Sequence, residues 1–346
     1  MNGTKTDSGR FAGLALLALS GLLFAAPRAL ALTITVNYEP GVPAAAQTAF
    51  SSLVNTYNST FVNNASVSID VQFSGSGFGG ASTLLDLISY SDWVKDMTAT
   101  SGLYPANNYL ATGIGTLGAS DPIGAGKVYV RGGDAGAIGV TAGQIISTAN
   151  NQPGGYASTI TFGTNSNFAY NGKPGTNQYD FLGIASHELN EALGIGSLMN
   201  GFANNNTNVT GANNYFEGED FFRYGTNKNH FITTDPNAKV YFSYDGGKTL
   251  VDQFNEDNNA AGNPKLDRGD WVWGNSGAPS GSHIEVQNAV TYVGQAAPLL
   301  TASPTTSEFV VLSTLGYSVP EPSALALAGV GVVLGAVVRR NRRRQA

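Results

Sequence analysis

Two apolar segments, one at each end of the 346-residue chain, decide which part of it can fold as a water-facing body. Residues 1–31 begin with Lys5 and Arg10, run apolar from Phe11 to Ala26 and close on Ala29-Leu30-Ala31. A cationic start, an apolar middle and a small-x-small finish make a secretory signal peptide, cleaved to leave Leu32 first. The apolar run falls short of the ~20 residues of a spanning helix. At the other end Val319-Pro320-Glu321-Pro322-Ser323 precedes an almost uncharged stretch, Ala324 to Val338, and then Arg339, Arg340, Arg342, Arg343 and Arg344. An apolar helix followed by arginines is a stop-transfer arrangement, because the cations stay on the cytoplasmic side and hold what precedes them outside. About 15 residues rising ~1.5 Å each cover only ~22 Å, so a membrane helix over 324–338 must draw in flanking residues to cross a ~30 Å core.

Residues 32–318 therefore carry the fold, and their charge differs from that of the whole chain. Of 18 Lys and Arg and 24 Asp and Glu, three and one fall in 1–31 and five and one in 319–346, leaving 10 cations against 22 anions, or −12. A body this acidic shows no basic patch for phosphates, which argues against a nucleic-acid partner and suits divalent cations. The chain has no cysteine, so a disulfide framework, a Cys-ligated zinc ribbon and a thiol nucleophile are all excluded. Any metal must be held by His, Asp, Glu or main chain. Charged residues make up 12% of the chain, about half the ~25% of an average soluble domain, against 42% apolar, which describes a packed body with an uncharged polar surface.

The pattern along this body alternates between the two periods. Leu32 to Tyr38 alternates as a strand, and Pro43 to Val62 places Ala46, Phe50, Leu53, Val54, Tyr57 and Phe61 at helical spacing. Val67 to Phe73 alternates again, and beyond a Gly/Ser stretch Leu84 to Met97 follows a helical pattern with Trp93. Ile160-Thr161-Phe162, bounded by Gly155 and Gly163, reads as a short edge strand. Tyr179 to Leu193 forms a helix with Leu182, Ala185, Leu189 and Leu193 in one stripe and Gly194 as terminator. Gly201 to Asn214 is an Asn/Gly-rich loop, and Val240 to Leu250 a hairpin turned at Asp245-Gly246. Strands mixed with helices, without a regular βαβ repeat, give an α+β fold class.

The chemistry concentrates in Ser186-His187-Glu188-Leu189-Asn190-Glu191-Ala192-Leu193-Gly194. His187 and Glu191 stand at i and i+4, so both project from one helix face and can reach a single cation, while Glu188 borders that face and can take a proton from water. Asp220, Glu217 and Glu219 lie about 30 residues on and offer a third ligand, with Asp220 the expected one; His230 and His283 are the other imidazoles. One imidazole with carboxylates suits Zn²⁺, and also Mn²⁺ or Ca²⁺. Three further motifs carry no function. Gly75-Ser76-Gly77-Phe78-Gly79-Gly80 is a flexible loop, since an exported protein meets no dinucleotide pool. Gly274-Asn275-Ser276-Gly277-Ala278-Pro279 has no preceding histidine segment, and Gly246-Gly247-Lys248-Thr249 lacks the upstream glycine of a P-loop.

Two resemblances follow. Residues 319–346, with Pro320-Glu321-Pro322, an apolar helix and an arginine cluster in that order, resemble the PEP-CTERM sorting signal processed by an exosortase. This implies the secretion machinery and exosortase as partners, transient anchoring in the membrane through the C-terminal helix, and delivery to the envelope, extracellular matrix or medium of a Gram-negative bacterium. The His187 segment resembles the zincin motif H-E-x-x-H, and its metzincin extension through Gly194, with Glu191 in place of the second His and Ser197 in place of the third. That resemblance implies a zincin-like catalytic domain over 32–318, with an N-terminal part to about 194 and a C-terminal part 195–318, built on a twisted mixed sheet and an active-site helix. It also implies a metallopeptidase acting on protein or peptide, with His187, Glu191 and Asp220 as metal ligands and Glu188 as catalytic base. The alternative is a non-catalytic matrix or biofilm-associated surface protein on a degenerate zincin scaffold.

Overall fold

The computed structural model describes residues 31–201, 216–256, 267–272, 285–289, 291–297, 299–300 and 306–319. β1 (Thr33–Tyr38) leads into α1 (Ala44–Thr60), whose buried Ala46, Phe50, Leu53, Val54 and Tyr57 form one apolar face. β2 (Ser66–Phe73) returns parallel to β1, so α1 is the crossover that covers the sheet. β3 (Gly79–Thr83), β4 (Leu85–Ser89), α2 (Tyr90–Leu103), α3 (Asn108–Leu117), β5 (Lys127–Arg131), α4 (Gly132–Ile138) and β6 (Ser147–Ala149) follow before the chain re-enters the main sheet as β7 (Ser158–Phe162). The main sheet runs β1-β2-β7-β3, parallel through β7 and antiparallel at β3, and a second, antiparallel sheet runs β5-β4-β6.

A two-residue pair, β8 (Phe168–Ala169) and β9 (Tyr179–Asp180), delivers the chain to α5 (Phe181–Leu193), which packs beneath the main sheet. Phe162 of β7 sits against Phe50, Phe73 and Phe181 with ring centroids 6.2, 5.4 and 4.8 Å away, which binds α1, the sheet and α5 into one core. Each such buried aromatic contributes about 1.5–3 kcal/mol by leaving water. The remainder adds β10 (Arg223–Gly225), antiparallel to β11 (Val240–Phe242), and α6 (Ser307–Leu315), every residue of which is buried. Asn107 donates to the carbonyls of Ser313 and Tyr317, both at 2.9 Å, and so fixes the end of α6 to the start of α3.

The α+β class with mixed sheets is what the chain adopts. Three local expectations change. Leu84 to Met97 is a strand followed by a helix, because Ser89 ends β4 in extended conformation and accepts from Asp92 N at 3.1 Å as the cap of α2. Ser158–Phe162 is an interior strand, and the glycine-rich segment at Gly79, read as part of a loop, supplies the edge strand instead. The Asp245 turn does join β11 to a return segment, with Tyr241 bridging antiparallel to Gln253. The signal peptide, Pro320, Glu321, Pro322 and the apolar stretch 324–338 lie outside the described residues, among which no helix is long and apolar enough to cross a membrane.

Candidate metal centre

α5 distributes its polar residues over three adjacent columns, as 3.6 residues per turn requires. Ser186 and Asn190 face α1, where the buried Tyr57 hydroxyl lies 2.8 Å from Ser186 Oγ and donates to Asn190 Oδ1 at 2.6 Å. Ile184 and Glu188 face β3. A Cβ at Gly79 would stand 2.5 Å from Glu188 Oε1 and 2.8 Å from Ile184 Cγ2, so only glycine lets the edge strand lie this close to the helix. His187 and Glu191 occupy the column between, and His187 looks into a cleft of about 240 Å³ that Phe78, Gly79, Glu188, Asp270 and Val286 also line. Asp180 caps the helix through Leu182 N and holds the far wall by accepting from Ala297 N at 3.1 Å.

The third corner comes from Asp270, about 80 residues on. The backbone at Gly269 crosses directly over Gly196, just past the end of α5, where a Cβ on Gly269 would lie 2.4 Å from Gly196 Cα. Trp271 then pairs parallel with Asn288, donating from its N to the Gln287 carbonyl at 2.8 Å, which brings residues 285–289 to the same side. One ligand atom from each of His187, Glu191 and Asp270 lies within 4.8 Å of the others. His187 Nε2 is 3.5 Å from both Glu191 Oε1 and Asp270 Oδ1, while its Nδ1 donates to the Val286 carbonyl at 3.1 Å. Gln287 Nε2 donates to Asp270 Oδ1 at 3.0 Å and stands 3.3 Å from His187 Nε2.

These residues fit a divalent cation. Separations of 3.5 Å exceed the ~2.7–3.2 Å of a good N–H···O bond. Ligands ~2.0–2.2 Å from a shared tetrahedral ion stand ~3.3–3.6 Å apart. The Val286 carbonyl fixes the imidazole tautomer and orientation, as an outer partner does for a ligating histidine. Charge points the same way. Burial lowers the His187 pKa, but Asp270, Glu191 and Glu188 outweigh it and carry the group well above its ordinary value. Burial, reinforced by Glu191, raises Glu188 well above the carboxylate range, and burial does the same for Asp270. Glu191 goes the other way: His187 and Arg131 overcome its burial and lower it. At the cleft wall burial, with Glu308 and Asp252, pushes Glu285 up to about 8.

Asp220, the expected third ligand, is not part of this group. It is fully buried, accepts from Ser197 Oγ at 2.7 Å and from Glu217 N at 3.0 Å, and pairs with Arg223. Ser197 therefore also points away from the cleft. Glu217 takes the fork of Arg131, Glu219 accepts from Gly196 N, and His230 shares a 2.9 Å bond with the Tyr224 hydroxyl. His283 lies outside the described residues. No local pattern marks Asp270 or Gln287 in the sequence, because the crossing over Gly196 and the pairing at Trp271 are tertiary events.

A model of the PEP-CTERM protein-sorting motif matches residues 318–344. The chain carries an exosortase sorting signal. It is accordingly an exported protein whose destination is the envelope or membrane region of a Gram-negative cell. No curated protein and no solved structure matches the chain.

Proposed function

We propose that this exported protein is a metal-dependent peptidase of zincin-like architecture. The reading is supported above all by the convergence of His187, Glu191 and Asp270 beside Glu188, at a cleft that His187, Glu188 and Asp270 line together with Gly79 of the edge strand. Among the described residues β3 is paired on one side only, with β7, so its other edge offers main-chain donors and acceptors to an extended peptide. A peptide added there passes over Glu188, because Gly79 touches that carboxylate. His187, Glu191 and Asp270 hold the cation, Zn²⁺ or the harder Mn²⁺ or Ca²⁺. A bound divalent cation supplies the charge that acidifies water and polarises a carbonyl.

The remaining work falls to the protein's own groups. Glu188 takes a proton from the attacking water and passes it to the leaving amine as the peptide bond breaks. The main chain of β3 orients the peptide, and Val286 holds the imidazole of His187 in place. The decisive experiment measures metal content and hydrolysis of a fluorescently labelled casein by the purified full chain, wild type and Glu188→Gln. One bound metal, with hydrolysis that depends on Glu188, is expected. A protein without metal, whose melting temperature ignores chelators, would belong instead to a non-catalytic surface role.

A further inference from the structure

Gln287 is fully buried, yet among the described residues its Oε1 has no hydrogen-bond partner. The other end of the same amide, Nε2, lies 3.0 Å from Asp270 Oδ1 and 3.3 Å from His187 Nε2, two of the three atoms that converge on the cleft. With the imidazole neutral, as a metal ligand must be, the NH₂ group spans a pair of acceptors, which is the task a cation performs when it sits between them. That orientation is favourable only while no positive charge occupies the space. With a cation there, an N–H aimed at it is repelled and the amide oxygen is attracted, and a half-turn about the last side-chain bond exchanges the two ends with almost no change in the volume filled.

We propose that Gln287 is a fourth protein ligand of the cation site, binding through Oε1, and that its amide serves as the stand-in for the ion when the site is empty of metal. This inference rests on the reading of His187, Glu191 and Asp270 as a cation site and adds a residue to it. The consequence is chemical. A donor set of one imidazole nitrogen and three oxygens is harder than a histidine-rich zinc site and uses larger coordination numbers to advantage, so it shifts the balance towards Mn²⁺.

The test titrates the metal-free full chain with Mn²⁺ and, separately, Zn²⁺ by calorimetry, and records the visible spectrum of the Co²⁺-loaded protein, for wild type, His187→Ala, Gln287→Leu and Gln287→Glu. Loss of an outer partner of a metal ligand typically costs about 10–100-fold in affinity, so loss of a ligand should weaken Mn²⁺ binding by about 100-fold in Gln287→Leu. Zn²⁺, content with three protein ligands, should lose less, and the Co²⁺ spectrum should intensify as the coordination number falls. Gln287→Glu should keep the metal and the wild-type form of the spectrum, and it carries the test if Gln287→Leu does not fold. An unchanged Co²⁺ spectrum in Gln287→Leu, whether or not affinity drops, overturns the ligand role and leaves the three-residue site standing. So does a folded Gln287→Glu that binds no metal. Wild-type protein that takes up no metal, like His187→Ala, overturns both the site and the inference.

Discussion

Around Arg223 buried charges are matched, and around His187 they are not. Arg223, with no exposed surface, bonds Glu256, pairs with Asp220 at 3.4 Å, and lies over the Phe254 ring at 3.8 Å. Arg131 likewise forks onto Glu217 and sends its remaining nitrogen to the Glu191 carbonyl at 2.9 Å. At His187, by contrast, Glu191 and Asp270 flank a single imidazole at 3.5 Å, too long for good hydrogen bonds, and Glu188 adds a third carboxyl beside them. Both regions bear the cost of desolvating charge. The first offsets part of it with guanidinium–carboxylate pairs, whereas the second has an imidazole in their place and is where the proposed cation would supply the balancing charge. The two should respond differently to substitution.

The largest effect is expected in the unmatched region and in rate rather than stability. Glu188→Gln keeps the shape against Gly79 but removes the proton acceptor, and general acid–base catalysis is worth about 10²–10⁴-fold. Hydrolysis by the variant should fall by that factor with metal content unchanged. Wild-type activity in Glu188→Gln would end the catalytic reading of the cleft.

In the matched region the effect moves to stability. Arg223→Met takes from Asp220 and Glu256 the guanidinium that pairs with them and leaves only Arg268 nearby, and breaking a buried pair in this way costs about 3–5 kcal/mol. Chemical denaturation of metal-free protein should show that loss, whereas His187→Ala should lose only about 1–3 kcal/mol, because it gives up one hydrogen bond, to the Val286 carbonyl, and no close ion pair. Equal losses in the two variants would erase the distinction between the regions.

A pH titration of stability sharpens the comparison further. Burial carries Asp220 up to about 7 against the pull of Arg223. A carboxyl raised in the folded state holds its proton longer there than in the unfolded chain, so between its ordinary 3.8 and about 7 the folded form binds more protons and stability falls as pH rises. One such proton is worth up to ~1.4 kcal/mol per pH unit. Asp220→Asn should flatten the fall, measured as unfolding free energies at several pH values across that window; parallel curves for variant and wild type would place the proton elsewhere.

The legibility of this molecule follows the reach of local rules. His187, Glu188 and Glu191 can be read from sequence because one helix sets their spacing, and Asp180 and Gly194 mark its ends. β1, α1 and β2 are legible for the same reason, each having one clean period. Leu85–Ser89 is not, since Leu84, Leu87 and Ile88 satisfy a helical spacing as well as a strand, and the Ser89 cap decides between them. β3 is hidden because Gly79 and Gly80 look like a loop, while the fold uses glycine to press an edge strand onto Glu188. Asp270 and Gln287 leave no local trace at all. Asp220 drew attention as the nearest acidic cluster in sequence, but Ser197 and Arg223 already satisfy it.

The smallest effect concerns the face of α5 that ties both regions to the core. The Tyr57 hydroxyl reaches Ser186 and Asn190, one column round the helix from His187 and Glu191, and sets the roll of the helix without touching the cleft. Tyr57→Phe leaves those two buried groups short of a partner, at a cost of about 1–3 kcal/mol. The thermal midpoint should drop accordingly, and metal affinity should change by less than the ~10-fold that marks an outer partner of a ligand. A larger change would mean that the helix roll is held by this hydroxyl alone. A smaller one would place its control in the contact between Gly79 and Glu188, where a Gly79→Ala variant should then show it by forcing the carboxylate aside.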